Sequence, residues 1–488
     1  MSTARTFRKE IGLFDGVMLV AGTMIGSGIF IVSADIARTV GSSGYLLLVW
    51  GLSGLLTIVA ALSYGELASL FPKAGGQYVF LREAYNPLLA FLYGWTLFLV
   101  IQTGTIAAVA VAFAKFSAVF VPDVGEDRIV LHVGSVRISA AQLLAIGVIV
   151  VLTMVNISGV RTGKWIQTLL GSTKILALFG LIAAGLWYWK DEVLATNFSQ
   201  PWQASRTVVQ EDGTIGRIPL QGWALIAAIG MAMVGSLFSM DAWNNITFAG
   251  DEVLNPRKTL ARSMAIGTVL VTCIYLLMNV IYLVHLPLAG EPHTETRNLY
   301  MRGIQFATHD RVGIAVADAI AGHTAVLIVA ALIVVSTFSC LNGLILAGAR
   351  VYYRMAADGL FFQHMQQLNG NGVPQPALVL QALWSSLLVL SGTYSDLLDY
   401  VVFAVLLFYL FTIAGLFVLR KKFPNAERTY RAPAYPYLPI LYLAMVTLIC
   451  IILLIYKPSY TWPGLIIVAL GLPAYYVFRR QQRTFRSA

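Results

Sequence analysis

Apolar residues recur in long runs from residue 11 to residue 478, separated by charged or Pro/Gly-rich breaks. A helical run of about 20 apolar residues matches the hydrocarbon thickness of a bilayer. Read this way, the chain predicts twelve transmembrane segments, at 11–37, 44–71, 87–120, 139–158, 165–189, 221–250, 259–286, 313–349, 376–393, 397–419, 435–456 and 461–478. They are numbered 1 to 12 below. Most connections are short; the exceptions are 190–220 and 287–312. An even number of segments puts both termini on one side. The opening MSTARTFRKE and the apolar run after it have the outline of a signal peptide. That run is too long, however, and no small-residue cleavage site ends it, so it reads as a retained first span.

Composition narrows the class. Of 488 residues, 58% are hydrophobic and 11% charged, against about 25% charged in an ordinary soluble domain. Mean hydropathy is +0.76. These values exclude a soluble enzyme, a nucleic-acid binder and a fibrous protein. The net charge of +10 therefore bears on orientation: 21 of 33 Lys and Arg residues fall on the termini and even-numbered connections, and ten on the opposite side. The other two, Lys115 and Lys174, lie inside segments. The positive-inside rule then predicts cytoplasmic termini in a plasma or bacterial inner membrane. The basic tail RRQQRTFR belongs to the same signal, with contact to anionic lipid as its alternative reading. Cys273, Cys340 and Cys450 all fall inside apolar runs. No disulfide framework or metal-ligand spacing results, and no cofactor is expected.

Two segments carry chemistry at mid-depth. In segment 1, Gly22, Gly26 and Gly28 flank Thr23 and Ser27. Three glycines so close weaken a helix and admit another backbone, and a broken helix is tolerated in a bilayer only where it lines a cavity. Close helix packing through Gly22 and Gly26 is the alternative. In segment 6, Asp241, Asn244 and Asn245 interrupt an apolar run, and an ionisable residue at that depth is a site candidate. Interruptions five segments apart are the pattern of two inverted five-helix repeats with a site between them. The half-helix starting near Ser27 would offer backbone N–H groups to a carboxylate. Carbonyls near Met24, Ile25, Phe238 and Ser239 would accept from an ammonium. A ligand with both groups is an α-amino acid.

Lys174 lies ten residues beyond Lys164 in segment 5, about 15 Å deeper along a helix, too deep to snorkel. Its ammonium is expected against carbonyls of the broken segment 1, where a sodium-coupled carrier would hold its ion. Lys115, near the end of segment 3, is expected to snorkel instead. Asn342, with Ser336, Thr337 and Ser339, makes a polar face in segment 8 that either lines the pathway or bonds a neighbouring helix. Glu66 and Glu252 stand near the ends of segments 2 and 6 as gate or interface groups.

Asp241 bears on substrate class. Facing a substrate side chain, it would favour basic amino acids, since an unpaired desolvated charge is costly. As cap of a half-helix beginning near Trp243, it would accept backbone N–H bonds and leave an apolar cavity beside Phe238 and Met240. The position of Asp241 directly before that half-helix favours the cap, and with it neutral amino acids as substrates.

GTMIGSGIF, SYGELASLFPKAGGQYVFLREAY, LFSMDAWNN with DEVLNPRKTLAR, and LNGLILAGARVYYRMAADGLFF together resemble the amino acid–polyamine–organocation superfamily, in particular its L-type amino acid transporter branch and related bacterial exchangers. The resemblance covers roughly 8–420. It implies an all-α integral membrane fold of LeuT type, in which ten core helices form two inverted repeats with helices 1 and 6 broken, plus two more helices. The chain would divide into an N-terminus (1–10), a core (11–420, repeats about 11–190 and 221–420), and 421–488 with the added helices and tail. The implied activity is sodium-independent amino-acid transport, commonly by exchange. By position, Ile25, Gly26, Ser27, Gly28 and Ile29 match the family's carboxylate-binding loop, and Phe238, beside Ser239, matches an aromatic gate. Asn244 matches a polar residue near the site, and Lys174 the lysine that replaces a sodium ion. Animal members use a cysteine after the third span to join a single-span glycoprotein; residues 122–139 hold none, so no disulfide-linked heavy-chain partner is expected. Position 241 is glycine in some members and Asp in others that carry basic amino acids. Basic amino acid or polyamine exchange and proton-coupled symport are the alternatives.

Rival classes fare worse. An intramembrane enzyme needs an acid–base pair or metal cluster within the spans, and all six histidines fall at loops or span ends. A channel would show pore rings, whereas this chain shows two unlike interruptions.

Overall fold

The computed structural model describes residues 9–133, 136–210, 214–292, 299–391 and 394–486. Arg5, Arg8, His293 and Arg297 fall outside the described residues, as do the side chains of His132, Arg161, Lys164 and 481–488.

Local sequence explains where the helices start and stop. Segment 1 is two helices, Leu13–Met24 and Gly28–Val40, bent by 42° across residues 25–27. The Asp15 carboxylate accepts the Gly12 N–H at 3.1 Å and fixes the first turn. Segment 3 (Pro87–Ser117) opens on Asn86, whose side chain accepts the Leu89 N–H at 2.9 Å, with Pro87 at the first helical position. Midway along it, Leu97–Ile101 winds as a π-turn, and the Thr103 hydroxyl donates to Phe98 O at 2.6 Å. Segment 4 (Ala140–Ile157) begins with a reciprocal Ser139–Gln142 capping box. Segment 6 is the helix Gly222–Ser239, then a break, then a tighter 3₁₀ stretch Trp243–Glu252. Segment 8 runs from Val312 to Ala357, past its expected end, and is kinked at Ala321 and Gly322.

Helices occupy all twelve expected positions. Among the described residues, ten helices are long and apolar enough to cross a bilayer, or eleven when the bent pair of segment 1 counts as one. Segment 9, Gln375–Val389, has only 15 residues, about 22 Å of helix. A short helix not anticipated from the sequence, Gly76–Ala84, lies between segments 2 and 3. The membrane bundle is all helical, and two connections add short strands. Two antiparallel hairpins, Ile129–Val133 with Val136–Ser139 and Ser205–Val209 with Ile215–Pro219, fill longer connections. Both are rich in β-branched residues, which suit a pleated surface.

The bundle sorts into two groups. Segments 1, 2, 6 and 7 all pack on one another, and so do segments 3, 4, 8 and 9. Segment 5 leans on segments 1 and 8, and segment 10 (Tyr394–Lys422) touches segments 2, 3 and 6. Segments 11 and 12 pack outside segments 2, 3, 6 and 10. Both broken helices belong to the first group, and the lysine of segment 5 approaches them from its edge.

Candidate functional site

The two breaks meet. A side-chain carbon built on Gly28 would stand 2.1 Å from Ser239 Oγ and 3.1 Å from Ser239 Cα. The Thr23 hydroxyl donates across to Ala242 O at 3.2 Å. From segment 7, the Tyr275 hydroxyl lies 3.1 Å from Met24 O and 3.2 Å from Ser239 O, bridging the breaks. Ser27 is the cap residue of the second half-helix, as expected, so the first N–H groups of Gly28 and Ile29 open at the break.

The carbonyls expected to accept from an ammonium take donors from within the protein. Met24 O and Ser239 O take Tyr275, Phe238 O takes the Asp241 N–H at 3.1 Å, and Ile25 O takes Lys174 and Ser336. A buried carbonyl in a closed site needs a donor, and neighbouring helices supply it.

Lys174 is buried, as its depth required. Its ammonium donates to Gly22 O, to Ile25 O at 2.7 Å and to Ser336 O at 3.4 Å. The Ser336 hydroxyl reaches Ile25 O at 3.1 Å, and Cys340 Sγ reaches Thr23 O at 3.0 Å. Segments 5 and 8 thus hold the unwound carbonyls of segment 1.

Asp241 is not the cap of the following half-helix. That position is Ala242, in a left-handed conformation (φ 65°) with no side-chain cap bond. The Asp241 carboxylate accepts the Tyr409 hydroxyl at 2.5 Å. It lines two small cavities, each about 20 Å³. Phe238, Trp243 and Tyr442 border one; Gln77, Gln102 and Asn244 border the other. Each has room for about one water, so an amino acid enters only after the groups part. Asn244 also donates to Gln77 Oε1 at 3.2 Å, and Gln77 donates to Thr412 at 3.0 Å.

Asn342 takes the second of its two sequence readings. It is fully buried, accepts from Asn156 Nδ2 at 2.9 Å and borders neither cavity. This bond joins segments 4 and 8. Tyr275 and Tyr409 were missed, because a Tyr in an apolar run has no sequence signal that separates a packed ring from a bridging hydroxyl.

Ion pairs between separate segments and connections stand on both faces. On the face of the termini, Glu252 meets Arg350 at 2.6 and 3.1 Å, and Glu252 O accepts the N–H groups of Glu10 and Ile11. Glu66 meets Arg420 there. On the opposite face, Arg38 donates to Asp310 at 2.6 Å and to Gln305 O at 2.7 Å. Among the described residues no group of three or more His, Cys, Asp or Glu could hold a metal ion.

The sequence matches the family model described as amino acid permease over residues 11–475. The chain belongs to the amino acid permease family. The permease is 27% identical over 476 residues to the b(0,+)-type amino acid transporter 1 of Mus musculus, covering 97% of this chain and 88% of the relative. It is 28% identical over 478 residues to the serine/threonine exchanger SteT of Bacillus subtilis (strain 168), covering 97% and 98%. Against the cystine/glutamate transporter of Homo sapiens it is 26% identical over 473 residues, covering 96% and 85%. The permease is a transporter and not an enzyme.

Proposed function

We propose that the permease is a sodium-independent exchanger of L-amino acids that works by alternating access. The observation that carries this reading is the Lys174 ammonium on Gly22 O and Ile25 O. A fixed cation there supplies the charge that a bound sodium ion would otherwise bring to unwound carbonyls. The substrate carboxylate goes to the N–H groups of the Ser27–Gly28–Ile29 turn, and Phe238 covers the site. Twelve spans, two inverted repeats at about 11–190 and 221–420, two added helices in 421–488 and cytoplasmic termini in a cell membrane complete the reading. It is supported by the paired breaks, the two packing groups and the charge bias of the connections. The name of the Bacillus relative, an exchanger, agrees with it. No cysteine lies in 122–139, so no disulfide-linked partner is included.

Uptake of a labelled amino acid into proteoliposomes is expected to need internal amino acid and to ignore removal of sodium. Strong sodium stimulation, or equal uptake into empty liposomes, would overturn the exchange reading.

Neutral amino acids are the first substrate class. The Asp241 geometry favours a second, basic amino acids, because its carboxylate caps no helix, borders both cavities and pairs with no described cationic side chain. Excess arginine and lysine should then compete as well as excess leucine, serine and alanine, and Asp241→Asn should selectively weaken arginine and lysine. Failure of basic amino acids to compete with wild-type protein leaves the neutral class alone.

A further inference from the structure

Glu66, near the end of segment 2, is completely buried. Segment 10 and the chain that follows it supply its partners. Arg420 grips its carboxylate with two bonds, Nε at 2.9 Å and a terminal nitrogen at 2.7 Å. Arg428 Nε lies 3.1 Å from one oxygen, and the Ala432 N–H donates to the other at 2.8 Å. Nearby, the Ser69 hydroxyl donates to Tyr430 O at 3.3 Å.

The stretch 423–436 has its own internal frame. The Arg428 guanidinium donates to Phe423 O at 2.9 Å and to Ala426 O at 3.2 Å, so the turn is wound around it. At the far end, Arg420 stacks over the Tyr435 ring, 3.6 Å from its centroid. Arg428 thus holds the start of the stretch by bonds within it, while Arg420 of segment 10 holds its end at Tyr435, so the part between can undock as a unit. Segment 2 belongs to the group with both broken helices, and segment 10 packs on segments 2 and 6 of that group as well as on segment 3 of the other. The Glu66 contacts therefore tie segment 2 to segment 10 and to the chain after it, on the face of the termini.

We propose that residues 423–436 are a latch and Glu66 its catch, and that the permease opens toward the face of the termini only when Arg428 and Ala432 leave Glu66. This rests on the alternating-access reading above. Arg428 touches no substrate and acts as a positioning residue: it sets how much of the population is closed on that face. An apparent affinity scales with the fraction in the competent state, so weakening the latch moves accessibility between faces rather than lowering it on both.

Cys340 reports this directly, because it is buried under the segment 1 break at Thr23 O. The test uses full-length permease in sealed vesicles of known orientation, with Cys273 and Cys450 replaced by alanine. A charged, membrane-impermeant methanethiosulfonate is added from one face at a time. Arg428→Gln and Glu66→Gln are expected to label about fivefold faster or more from the face of the termini, and no faster from the other. Arg428→Lys, which keeps the ion pair, should stay near wild type. An unchanged rate in Arg428→Gln, an equal rise from both faces, or Arg428→Lys as fast as Arg428→Gln would overturn the latch. If Glu66→Gln does not fold, Arg428→Gln decides. Labelling needs no substrate, so its failure leaves the exchange reading standing.

Discussion

Gly28→Ala is expected to stop exchange while the protein still reaches the membrane. The added methyl would lie 2.1 Å from Ser239 Oγ and 2.7 Å from Ser239 Cβ, with Ser239 Cα at 3.1 Å behind them. A side-chain tip can turn aside, but the Cα of the opposing break cannot. Overfilling a packed site costs about 1–3 kcal/mol, and here the cost falls on the contact that the two half-helices must keep as they move. A 10- to 100-fold loss of exchange is the rough expectation on that scale. Ser239→Gly removes the two nearest of the three atoms and leaves Cα at 3.1 Å, so Gly28→Ala with Ser239→Gly should recover part of the loss seen in Gly28→Ala alone. Such non-additivity marks direct contact. Exchange by Gly28→Ala at the wild-type rate and equal abundance would show that the breaks separate far enough to tolerate the methyl.

The second large effect is at Lys174. In Lys174→Ala, Ser336 still serves Ile25 O, but Gly22 O loses the ammonium that reaches it. A buried carbonyl left short of a donor costs about 1–3 kcal/mol, so exchange should fall about tenfold or more while binding is weakened less. Lys174→Met keeps most of the side-chain volume and removes the charge, and it should be as slow as the alanine variant. Lys174→Arg should not rescue, because the neighbouring cavity, lined by Leu178, Val329 and Ser336, offers about 10 Å³. The measurement is initial exchange rate at matched abundance. Wild-type rates in both Ala and Met variants would remove Lys174 from the mechanism.

What the sequence disclosed followed from rules that act locally. Twelve apolar runs placed the helices, most ends within about five residues, because hydrocarbon thickness sets the apolar length; segments 8 and 12 run eight residues further. The glycines of segment 1 marked its break, and the depth of Lys174 marked its partner, since a lone ammonium there has few places to go. Contacts between distant segments were hidden. Nothing near Asp241 in sequence announces Tyr409, and a capping position one residue away was the simpler inference. The left-handed Ala242 took that place instead. Asn342 likewise had two chemically equal uses, and nothing near it in sequence announces its partner Asn156 on segment 4. The hairpin at 129–139 and the helix at 76–84 lie in connections where no bilayer imposes a length.

The π-turn at Leu97–Ile101 bears on how segment 3 is compared with other chains. It places one more residue in the turn than a regular α-helix does, which shifts everything beyond it by about 100° around the axis. Gln102 and Thr105 border the cavity beside Asp241 from beyond that shift. An alignment to a relative with a regular helix here must open a one-residue gap within 97–101, or every later position of the segment is matched to the wrong side. Deleting Leu99 would be a register change, turning a cavity wall toward lipid without removing any side chain that lines it.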